Sequence, residues 1–134
     1  VLLYGDSPAS GEPTLELFRK AVPVDADVAA NASAHLARAL QRWGWEATVD
    51  AANGCATAVI DTVVEAGADS LELFAFRRAH QLNVEVHFSG TATRIHQLLP
   101  TDARLARIEL LTDLWGVRPL GDGEAVWFEF HLPS

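Results

Sequence analysis

The residues of this chain best spaced for chemistry are Asp61 and Glu65. They lie four apart in a segment that reads as helix, so they share one face a turn apart, where two carboxylates repel by about a few tenths of a kcal/mol unless something offsets them. Such a pair suits a solvated acidic face, a surface for a basic partner, or a remnant site for Mg²⁺ or Ca²⁺. Five histidines, at 35, 80, 87, 96 and 131, show no His-x-x-x-His spacing, and the single Cys55 can form neither an internal disulfide nor a Cys-x-x-Cys motif. No metal centre is expected.

The remaining charge narrows the partners. Across 134 residues, 18 acidic side chains stand against 10 basic ones, a formal charge of −8. Phosphate backbones attract clustered Lys and Arg, so a nucleic-acid partner is not expected. No apolar run approaches the roughly 18 residues that span a bilayer, and the first residues lack an export signal, so a cytoplasmic protein without a membrane partner is expected. A hydrophobic content of 49% supports one core, and 1–134 reads as a single domain.

The elements that would position these side chains follow from periodicity. Residues 1–4 read as a short strand, "SPASGEP" at 7–13 as punctuation, and "TLELFRKAV" at 14–22 as an ordered segment of open type, which makes 1–24 an N-terminal strand plus connection. Asp25 is expected to cap a first helix whose stripe is Ala29, Ala32, Leu36, Leu40 and Trp43, with Gly44 at its end. A second helix after Asp50 aligns Ala56, Val59, Ile60 and Val63 and ends near Gly67. "SLELFAFRRA" and "LNVEVHFSG" read as strands linked through His80 and Gln81; in the second, Leu82, Val84, Val86 and Phe88 alternate with polar residues expected to face solvent. After Pro100, Leu105, Ile108, Leu111 and Trp115 predict a third helix ended by Gly116. A hairpin then turns at Gly121-Asp122-Gly123, where glycines would supply positive φ, and Val126, Phe128, Phe130 and Leu132 would share a face. This order predicts an α/β two-layer sandwich: a mixed, mostly antiparallel sheet covered on one face by about three helices.

Three stretches add a resemblance: "RWGW" at 42–45, "LLTDLWGV" at 110–117 and "GEAVWFEF" at 123–130. Their order and spacing over 25–132 resemble the histidine-kinase-like ATPase (GHKL, Bergerat-fold) family, and within it the actinobacterial anti-sigma-factor serine kinases. The resemblance implies a catalytic glutamate at the position of Asp61, a Mg²⁺-holding asparagine at Glu65, and a histidine or arginine near Asp69. It implies an adenine-binding aspartate where Phe88 or Ser89 stands, followed by Gly90. A phosphate-cradling Gly-x-Gly-Leu lid is replaced by Asp102-Ala103-Arg104-Leu105. A carboxylate at Asp102 would occupy the field of the helix N-terminus, and Cβ atoms crowd where glycines admit phosphate. Two lost charge-assisted hydrogen bonds plus the lid change approach ~5 kcal/mol, more than about a thousandfold in affinity.

The resemblance with these replacements implies a regulator with a degenerate ATP site. No cofactor is expected, and the protein would act in transcriptional or signalling control by contact with a sigma factor or an anti-sigma antagonist. Homodimers are common in the family, and the first helix would be the interface. The alternative is an active ATP-dependent serine/threonine protein kinase, with Asp61 as base, Mg-ATP as cofactor, and Arg104 replacing the lid. Arg77, Arg78, Arg94 and Arg104 would then gather around the pocket. Trp115 and Trp127 read as core residues.

"LLYGDSPAS" resembles the nucleophile block of Gly-Asp-Ser-Leu esterases, with Ser7 as nucleophile. That chemistry needs a histidine oriented by a carboxylate, and three residues before His131 stands Phe128. A strand-to-turn junction explains the stretch better.

Overall fold

The computed structural model describes residues 2–6, 14, 16–78, 80–91, 94–98 and 103–131. Its strands are β1 (Leu2–Tyr4), β2 (Glu16–Ala21), β3 (Ser70–Arg77), β4 (Gln81–Ser89), β5 (Leu114–Pro119) and β6 (Gly123–His131). Its helices are α1 (Val28–Arg42), α2 (Val49–Glu65), α3 (Ile95–Leu98) and α4 (Ala103–Leu111). The strands form one sheet in the order β1-β5-β6-β4-β3-β2, antiparallel except for the β1–β5 pair. The two-layer α/β arrangement expected from the pattern is present.

Alternation decides which face carries the helices. Leu71, Leu73 and Ala75 of β3, Leu82, Val84, Val86 and Phe88 of β4, and Val126, Phe128 and Phe130 of β6 share one core with Ala32, Leu36 and Leu40 of α1 and Ala56, Val59, Ile60 and Val63 of α2. Each fully buried Leu, Ile or Val contributes roughly 1.5–3 kcal/mol relative to exposure, so these interlocked stripes hold the two layers together. Cys55 is buried in the same core. Among the described residues, no helix is long and apolar enough to cross a membrane.

Several local expectations are corrected. The cap of α1 is Asp27, while the Asp25 carboxylate accepts from the Asp27 N–H at 2.9 Å in the preceding turn. Residues 14–22 contribute an edge strand, because Glu16–Ala21 pairs with β3 along its whole length. The third helix stops at Leu111, and Trp115 and Gly116 belong to β5. Sheet pairing wins there: the Asp113 N–H reaches Glu129 O at 3.1 Å and Trp115 lies opposite Phe128, which buries the indole without a further helical turn.

At the last hairpin neither glycine has positive φ. Leu120 N–H closes the turn on Gly123 O at 2.9 Å. Gly123 answers a different demand: a Cβ there would stand 1.9 Å from the Phe88 carbonyl oxygen, so only glycine lets β6 approach the end of β4. Pro100, Asp102 and Leu132 lie outside the described residues, as does Ser7.

Candidate functional site

The helix α2 presents Asp61 and Glu65 on its exposed side because the opposite stripe is buried in the core. The structure answers their mutual repulsion with a cation from α4. Arg104 donates from Nη1 and Nη2 to the two Glu65 carboxylate oxygens at 2.9 and 2.7 Å, and from Nη1 to Thr62 Oγ1 at 3.1 Å. A two-pronged guanidinium bond fixes direction as well as charge. The bond to Arg104 holds the Glu65 carboxyl below the usual carboxylate range. Asp61 stays exposed beside a cleft of about 250 Å³ shared with Ala58, Ala103, Arg104 and Arg107.

Beyond α2 the chain turns at Gly67 and brings Asp69 to the end of β4, where Asp69 N–H donates to Ser89 O at 3.0 Å. Ser89 Oγ donates to the Asp69 carboxylate at 3.2 Å and also bonds to Ser70 Oγ. Gly90 follows at φ +91°, and a Cβ on it would lie 2.6 Å from the Asp69 carboxyl group. The close approach that glycine permits here is therefore used by the chain's own carboxylate. Two clefts of about 320 Å³ each open at this end of the sheet, one over Ser70, His87 and Ser89, the other over Thr91, Arg94 and Glu124, and both reach the Asp122 turn.

The arginines do not gather as expected. Arg77 lies near Glu16 at 3.6 Å and Arg78 stacks over the Phe76 ring, both at the β3–β4 turn, the opposite end of β4 from Ser89. Hairpin geometry separates them, because residues joined by the turn end up at one end of the strands and Ser70 and Ser89 at the other. Arg94 stands 4.0 Å from Glu124, whose carboxylate accepts from Ile95 N–H at 2.8 Å. Only Arg104 reaches the α2 carboxylates among the described pairs.

Sequence alternation missed a second polar group. Asn83 and Glu85 face away from the helices yet are buried. Glu85 accepts from Arg118 at 2.7 Å and bonds to His87 Nε2 at 2.8 Å, while the His87 ring packs 4.1 Å from that of Phe74. Glu129 bonds to His131 Nε2 at 2.8 Å, and Gln81 donates to Asn83 at 2.9 Å. Trp127 supplies the shelter: it lies opposite both Glu85 and Gly116, is fully buried, and donates from Nε1 to Gly5 O at 2.8 Å. The available signal was Arg118 facing an acidic strand, which periodicity alone does not register. Among the described residues, no three His, Cys, Asp or Glu side chains converge as metal ligands.

No protein-family model matches this chain, and no curated protein matches it.

Proposed function

We propose that this chain is a regulatory domain of the histidine-kinase-like ATPase type whose nucleotide positions have been turned to structural use. It works by binding a protein in transcriptional or signalling control, a sigma factor or an anti-sigma antagonist. The observation that carries this reading is the Arg104–Glu65 pair. The residue that would receive a phosphate is held by the residue that would receive Mg²⁺, and the two neutralise each other. Asp69 at Gly90 supports it, since a carboxylate fills space that a ligand would need.

One observation favours the rival reading of an ATP-dependent serine/threonine kinase: Asp61 remains open beside Arg104 and Arg107. Calorimetric titration with Mg-ATP and Mg-ADP, with thermal shift at millimolar nucleotide, decides between them. Ligand at 100 times its dissociation constant adds about 2.7 kcal/mol of stability. The regulatory reading expects neither heat nor shift. Micromolar binding would replace it with the kinase, and Asp61→Ala would then abolish phosphoryl transfer.

A further inference from the structure

The β2 edge of the sheet carries a charge pattern complementary to itself. Among the described residues no strand lies beyond β2. Val22 N–H donates to Leu71 O at 3.0 Å, and hydrogen bonding alternates along an antiparallel ladder. Lys20, Phe18 and Glu16 therefore turn their main-chain groups inward to β3, while Leu17, Arg19 and Ala21 turn theirs outward. The strand holds no proline, and its Leu17 is 57% exposed. An edge of this kind is a template for another strand.

We propose that the occupant is a second copy of this chain, paired antiparallel through β2 about a two-fold axis at Phe18. In that register Leu17 and Arg19 of the two copies exchange main-chain hydrogen bonds. Phe18 then lies opposite Phe18, and Glu16 opposite Lys20, twice. These are non-hydrogen-bonded pairs, whose side chains stand closest, so each ion pair forms where cross-strand contact is strongest. A slip of two residues one way sets Arg19 against Arg19; the other way sets Glu16 against Phe18 and leaves Lys20 opposite Thr14. Only the Phe18-centred register satisfies both charges. Phe18 is half-buried against the core, so the second Phe18 would cover its remaining surface.

This interface lies on an edge strand, away from the first helix where dimerisation was anticipated, and it is independent of the nucleotide reading. A six-residue ladder buries less than the ~1,000 Å² of a stable interface, so the dimer is concentration-dependent.

Sedimentation velocity on the full chain from about 1 μM to 1 mM tests it, spanning the range of weak self-association. The expected result is a monomer that becomes a dimer across that range. Leu17→Pro removes an outward N–H that bonds nothing within the sheet, so it abolishes the dimer while leaving the melting transition in place. Lys20→Glu sets Glu16 against a second carboxylate and weakens the dimer about tenfold or more, and adding Glu16→Lys to it restores association. A monomer at every concentration overturns the proposal, and so does a dimer indifferent to Lys20→Glu. A double variant as weak as Lys20→Glu alone overturns the register.

Discussion

Arg104 at the start of α4 grips Glu65 at the end of α2 through both carboxylate oxygens. The pair ties the last turn of one helix to the first turn of another, between residues thirty-nine apart in the chain.

Arg104→Ala should return the Glu65 carboxyl toward its ordinary value of 4.5, seen by NMR titration of the side chain. The sign follows from linkage: a carboxyl whose folded value is lowered stabilises the fold above the unfolded value, and that stabilisation is lost as pH falls through the folded one. Stability should therefore fall less steeply with acid in Arg104→Ala than in the parent below about pH 4.5. Equal slopes would show that the pair adds nothing to folding.

Gly90→Ala should destabilise the domain by about 2 kcal/mol or more, since left-handed backbone costs an L-residue roughly 1–2 kcal/mol and the new methyl meets Asp69. Urea denaturation measures it. Asp69→Ala removes the obstacle, so the double variant should lose less than the sum of the two.

Trp127→Phe should cost about 1 kcal/mol for the lost hydrogen bond to Gly5 O, and Trp127→Ala roughly 3–5 kcal/mol for the emptied volume. Chemical denaturation separates the two. Identical losses would mean that the indole N–H carries the whole effect.

Burial pushes the Cys55 thiol up to about 12, so the native protein should hold no thiolate at neutral pH. A thiol reagent should label Cys55 only as fast as the domain opens, with labelling rate rising in step with urea-induced unfolding.

The helices α1 and α2 and the β3–β4 hairpin were legible because their apolar periods are long and uninterrupted. Leu36 with Leu40, and Val84 with Val86, each repeat at the spacing of their element, and those residues are fully buried. The segment around Trp115 was not, because Leu111 and Trp115 keep a helical interval while the main chain between them has already turned to pair with Glu129. Long-range pairing overrode a local pattern. β2 was ambiguous for the same reason: Glu16–Ala21 has charged residues on both faces, and only its register on β3 makes it a strand.

The sequence singled out Asp61, Glu65, Ser89, Gly90 and Arg104 but not the contacts that the fold gives them. An ion pair between residues thirty-nine apart and a carboxylate tucked against a glycine leave no periodic trace. The contacts of the buried carboxylates Glu85 and Glu129 with Arg118 and His131 were hidden differently. Alternation marks them as outward, which they are, but does not tell that Trp127 shelters that face.

The pairing of β1 with β5 sets the order in which the molecule can be assembled. Leu2 lies beside Trp115, so β1 must wait for a strand that is made more than a hundred residues after it. At ~5–20 residues per second that delay is several seconds or more, long against the microsecond to millisecond closure of α1, α2 and the β3–β4 hairpin. The β3–β4 hairpin can close well before this, and the β1 edge of the sheet is sealed only after β5 has been made.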